Sequence, residues 1–81
     1  MSVTIAMRLD LKGLSCPMPV IKTAKAMKTL APGELLEVLA TDPGSVADFK
    51  AWSQTTGNPL VESGVSDGVY RYVLKKKEVW T

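Results

Sequence analysis

Residues 5–31 read IAMRLDLKGLSCPMPVIKTAKAMKTLA, and within them the period of the apolar residues changes. Ile5, Met7, Leu9 and Leu11 alternate with Arg8 and Asp10, as in a strand with one buried face. From Pro19 to Ala31 the apolar positions are Val20, Ile21, Ala24, Met27, Leu30 and Ala31, with Lys22, Lys25, Lys28 and Thr29 between them. That is the spacing of one helical face. Residues 13–18 form the loop that joins the two patterns, and Pro32-Gly33 stops the helix.

Working outward, Glu34 to Thr41 (ELLEVLAT) reads as a second, largely buried strand. Asp42-Pro43-Gly44-Ser45 opens a second helix, with Asp42 expected as its N-cap and Pro43 as its first residue. Val46, Phe49, Trp52 and Ser53 give that helix a weaker inward stripe, and Gly57-Asn58-Pro59 ends it. Leu60 to Ser63 is a short third strand, Asp67-Gly68 a hairpin turn, and Val69 to Lys75 (VYRYVLK) the fourth strand. The expected order is β-α-β-α-β-β. Strands joined by a helix run parallel with a right-handed crossover, and the final hairpin adds an antiparallel pair. Two helices cannot cover both faces of four strands. The expected fold is therefore α+β: a two-layer sandwich with a mixed four-stranded sheet and both helices on one face. Arg71, out of phase with Tyr70 and Tyr72, fits one wet and one dry face. One domain spans 1–81, with its core at about 4–76 and a frayed tail at 77–81.

A chain of 81 residues hides only roughly 60–65% of its unfolded surface, so its core is thin. Hydrophobic residues at 46% and charged residues at 22% describe an ordinary globular balance. No stretch reaches the length of a membrane span, and residues 1–8 lack the pattern of a secretory signal. One cysteine cannot form an internal disulfide, so a reducing cytoplasm is the expected location. The net charge of +2 is too mild to announce nucleic acid or membrane as a partner. Between residues 1 and 36 the only carboxylates are Asp10 and Glu34, which makes the neighbourhood of the cysteine basic as read along the chain.

That cysteine is Cys16, within Gly13-Leu14-Ser15-Cys16-Pro17-Met18-Pro19. Pro17 forces Cys16 toward an extended backbone, and Pro19 does the same to Met18. The helix has two open starts, at Pro17 or at Pro19. The second, with Met18 as cap, spares Met18 a disfavoured conformation. Either start puts the sulfur at a helix N-terminus. Such a terminus stabilises a negative charge by about 0.3–2 kcal/mol, so a moderately activated thiolate is expected, helped by Lys22 or Lys25 if their side chains fold back. The plain alternative is a buried, inert thiol, since free cysteine is among the most buried residue types.

With no histidine and one cysteine, Cys–His and Ser–His–Asp catalysis, zinc and iron–sulfur sites, and an internal Cys-x-x-Cys redox cycle are all out of reach. No Gly-rich phosphate loop is present. A lone nucleophilic sulfur can still accept a group and hand it on. A persulfide fits: it needs an exposed sulfur, no cofactor, and partners to supply and receive the sulfur.

Leu9 to Pro19 (LDLKGLSCPMP) closely resembles the start of the TusA/SirA-like sulfur-carrier family, whose hallmark is Cys-Pro-x-Pro after a Gly-Leu pair. Ala40 to Val46 (ATDPGSV) and Thr56-Gly57-Asn58 are similar to it as well, so the likeness runs from about Met7 to Lys76. It implies a cytoplasmic carrier and sulfurtransferase. Cys16 would take sulfur from a cysteine desulfurase or rhodanese-like donor and pass it to an acceptor protein, as persulfide or thiosulfonate. In the family such relays feed tRNA thiolation, molybdenum-cofactor enzymes or sulfur oxidation. Matching positions are Gly13, Cys16, Pro17, Pro19 and Asp42. Some members carry a second cysteine in the second helix; here Ala51-Trp52-Ser53-Gln54 stands in that neighbourhood. Two other readings stay open: a small nucleic-acid module using Lys75-Lys76-Lys77, against which the near-neutral charge argues, and a regulatory adaptor that binds through its open sheet face.

Overall fold

A computed structural model describes residues 4–77. The elements are β1 (Ile5–Asp10), α1 (Met18–Met27), β2 (Leu35–Ala40), α2 (Ser45–Thr56), β3 (Leu60–Ser66) and β4 (Val69–Lys75). They form one four-stranded sheet in the order β1-β2-β4-β3, with β1 parallel to β2 and the other pairs antiparallel. This is the mixed sheet of the α+β sandwich expected from the order of patterns.

Alternation decides which face is covered. Leu36, Val38 and Ala40 of β2 are fully buried, and Tyr72 and Leu74 of β4 nearly or fully so. They meet Met27, Leu30 and Phe49 from the helical layer. Phe49 stacks on Tyr72 with ring centroids 4.6 Å apart, a pair worth more than its buried area alone. The other face carries a chain of charges across all four strands. Arg8 Nε donates to Glu37 Oε1 (3.1 Å), Arg71 Nε to Glu37 Oε2 (2.7 Å), and Arg71 Nη1 to Glu62 Oε1 (3.1 Å). Val73, paired in register with both Glu37 and Glu62, is completely buried although it lies outside the helix-side core.

Two element ends and one buried stripe depart from the sequence reading. Helix α1 ends at Met27 rather than Ala31, because Lys76 Nζ takes the Met27 carbonyl (2.9 Å) and the next amides turn back only three residues. Strand β3 runs to Ser66 rather than Ser63. Asp67 and Gly68, both at positive φ (51° and 77°), make a two-residue turn so tight that pairing extends to Ser66–Val69. The buried stripe of α1 is Pro19, Thr23 and Met27, while Ile21 is 49% exposed. A stripe that passes through a proline and a threonine escapes a count of apolar residues. Of the expected frayed tail, residues 78–81 lie outside the described residues; the Lys77 amide donates to Asn58 Oδ1 (2.8 Å).

Thr23 is fully buried, and its Oγ1 has no hydrogen-bond partner among the described residues. A buried hydroxyl without a partner costs free energy that a methyl group does not. Thr23→Val should raise the urea midpoint, with a gain of up to about 1 kcal/mol. A clear loss of stability would show that the hydroxyl is satisfied in solution.

Candidate functional site

Because β1 and β2 run parallel, their C-terminal ends lie side by side. The loops that leave them, and the starts of the two helices those loops feed, meet at one end of the sheet. The first loop is held there by the second. Leu11 N–H donates to Leu39 O (2.8 Å), continuing the parallel ladder one residue past β1. Gly13 N–H then donates to Thr41 Oγ1 (2.9 Å), and Cys16 N–H to Asp42 Oδ2 (3.3 Å). Gly13 reaches this geometry at φ +86°, a conformation open to glycine at little cost. Gly44 is tied to the site by space instead: a Cβ there would lie 3.0 Å from Asp42 Oδ2 and 3.8 Å from Cys16 Cβ.

The start of α1 matches neither arrangement weighed from the sequence. Pro17 is the N-cap, joined to Cys16 by a cis peptide bond, so Met18 is the first helical residue and Pro19 the second. Met18 N–H is already committed to Ser15 O (2.9 Å), and Pro19 has no N–H to offer. This terminus therefore presents fewer free donors than a helix start usually does.

Asp42 is not the N-cap of α2. Gly44 occupies that position without a side-chain cap bond, and the Asp42 carboxylate is spent on the Cys16 amide. An acceptor that could have capped its own helix is drawn to the neighbouring loop because the two loops are adjacent.

Cys16 is exposed, which removes the buried, inert alternative. Its Sγ–H donates to Asp48 Oδ2, from the early part of α2. This contact, the closeness of the two carboxylates Asp48 and Asp42, and some desolvation push the thiol above the ordinary cysteine range, the hydrogen bond to Asp48 contributing most. The expected activated thiolate is thereby corrected. The basic neighbourhood seen along the chain is replaced in space by carboxylates that arrive from beyond residue 36. Lys22 is exposed on α1, and its side chain enters no hydrogen bond or ion pair among the described residues.

Asp48 is the residue that sequence reasoning missed. On its own it looks like an acid favourably placed in the first turn of α2. The signal that could have found it was the parallel pairing of β1 with β2, which brings both helix starts together. At the start of α2, Ser45 Oγ and the Tyr72 hydroxyl share a buried hydrogen bond (2.8 Å), and burial pushes the Tyr72 hydroxyl pKa up.

The larger grooves lie elsewhere; one of about 400 Å³ on the outer face is lined by residues that include Leu39, Glu62, Val65, Val69 and Arg71. Met18 (39% exposed), two residues after Cys16 in the chain, and Ile21, one turn on along α1, are apolar and open to solvent. Among the described residues no group of three metal-ligating side chains comes together, and no helix is long and apolar enough to cross a membrane.

Residues 7–76 match the family model of sulfurtransferase TusA. A candidate sulfur carrier protein of Halobacterium salinarum is 54% identical over 84% of this chain and 85% of its own length. Sulfur carrier protein TusA of Allochromatium vinosum is 44% identical over 84% of this chain and 90% of its own. Among solved structures, a SirA-like protein from Desulfitobacterium hafniense superposes with a TM-score of 0.78 at 27% identity, covering 89% of this chain and 99% of that one.

The site geometry makes a prediction with a definite sign. Thiol alkylation follows the thiolate fraction. For this protein the rate with iodoacetamide should keep climbing on the alkaline side of the ordinary cysteine range, with little thiolate at pH 7. A midpoint near neutrality, from rates measured between pH 6 and 10, would contradict the placement of Asp48 against the sulfur.

Proposed function

The chain belongs to the sulfurtransferase TusA family of sulfur carriers, and from that premise we propose that Cys16 carries a persulfide sulfur between two proteins. A donor persulfide, R–S–SH, is attacked at its outer sulfur by Cys16 Sγ. The donor's S–S bond breaks as the new one forms, and the donor sulfur leaves with the bonding electron pair and takes up the proton that Cys16 gives up. The products are Cys16–S–SH and R–SH, with no external oxidant or reductant needed. Delivery to an acceptor is the same exchange with Cys16 as the leaving sulfur.

The observation that carries this reading is the exposure of the sulfur on a clamped loop. A site for a small molecule is concave and buries most of its ligand. A thiol standing on the surface, just ahead of a helix whose first turns expose Met18 and Ile21, suits a macromolecular partner, whose own active site supplies the walls. The donor is of the cysteine desulfurase or rhodanese type and the acceptor is another protein, both in a reducing cytoplasm. Pro17, as cap, and Pro19, buried in the second helical position, fix the approach of the loop, and Gly13 and Asp42 hold its backbone.

Incubation with a cysteine desulfurase and cysteine, or with polysulfide, should add sulfur atoms to the intact mass. Dithiothreitol should remove them, and Cys16→Ser should show none. Sulfur retained by the serine variant would overturn the assignment.

A further inference from the structure

Building on the carrier reading, we propose that Asp48 is a proton latch: it holds the unloaded Cys16 sulfur as a neutral thiol, so that an exposed nucleophile stays quiet between partners. The geometry is selective for one protonation state. Asp48 Oδ2 accepts from Cys16 Sγ–H. A thiol has a proton to give to that bond, whereas a thiolate would set two anions against each other.

The surrounding charges act in the same direction. The β2–α2 connection brings Asp42, whose carboxylate sits on the Cys16 amide. From β4 comes only the Tyr72 hydroxyl, which is bonded to Ser45. From α1 the nearest charge along the chain is Lys22, which pairs with neither carboxylate. The ion pairs Arg8–Glu37, Lys12–Asp10, Arg71–Glu37 and Arg71–Glu62 leave out both Asp42 and Asp48. Among the described residues, then, neither carboxylate near the sulfur is engaged in an ion pair.

The latch answers a problem that the carrier reading raises. An exposed cysteine in a family that handles reactive sulfur meets small electrophiles as well as its donor. Keeping the proton on the sulfur suppresses those side reactions, because the thiolate is the reacting form. In the transfer from R–S–SH the latched proton is the one that ends on the departing donor sulfur, so the balance of the exchange is unchanged.

The test compares the pH profile of Cys16 alkylation by iodoacetamide in the intact protein, in Asp48→Asn and in Asp48→Glu. Asparagine keeps the shape and removes the charge; glutamate keeps the charge. The asparagine variant should shift its midpoint toward lower pH. For each tenfold gain in thiolate, intrinsic nucleophilicity falls about threefold, so the net rate at pH 7 should rise roughly two- to fourfold. The glutamate variant should stay with the parent. An asparagine profile that does not move or moves toward higher pH, or a glutamate profile displaced as far as asparagine's, would overturn the latch. The two readings fail separately. Persulfide formation on the parent with an unmoved asparagine profile removes the latch and leaves the carrier. A displaced profile with no persulfide on the parent supports the latch and removes the carrier.

Discussion

Two side-chain oxygens from one loop hold the backbone of another, and the site depends on that clamp. Thr41 Oγ1 accepts from Gly13 and Asp42 Oδ2 from Cys16, across sequence separations of 28 and 26 residues. A loop of Gly, Ser and Pro has no ladder of its own to satisfy its amides. Borrowing acceptors from the neighbouring loop lets it remain at the surface and still be fixed. The parallel pairing of β1 and β2 makes the loan possible, since it alone puts the two loops at the same end of the sheet. The buried stack of Phe49 on Tyr72 then ties α2, and with it Asp48, to β4 beneath the site.

The electrostatics follow from the same adjacency. A helix N-terminus favours an anion through its free N–H groups. At α1 those groups are depleted, with Pro19 lacking one and Met18's engaged by Ser15. Two carboxylates stand nearby instead, one bonded directly to the sulfur. A direct charge-assisted contact outweighs a diffuse partial charge, so the thiol is pushed up rather than down. Exposure and weak acidity therefore coexist: the sulfur is easy to reach, and its proton is held more tightly than that of an ordinary cysteine.

Much of the fold was legible because it rests on local rules. The alternation in Ile5–Leu11 identified a half-buried strand, and Asp67-Gly68 named its own turn. The position of Cys16 ahead of a proline-guarded helix was equally local. What escaped depends on partners far along the chain. Lys76 ends α1 by reaching Met27 from 49 residues away, and Asp48 reaches the sulfur from 32. Asp42 was misplaced for the same reason: its sequence context describes a helix cap, and only the neighbouring loop explains why it serves elsewhere. Thr23 shows a second kind of limit, a polar residue on a buried stripe, where hydrophobic periodicity has nothing to count.

Amide hydrogen exchange at Gly13 and Cys16 probes the clamp without reference to any activity. The account predicts that both amides are protected relative to those of the neighbouring exposed loop residues. It further predicts that Thr41→Val frees Gly13 alone and Asp42→Ala frees Cys16 alone. Exchange of both amides at the rate of an unfolded chain in the unmodified protein would contradict it.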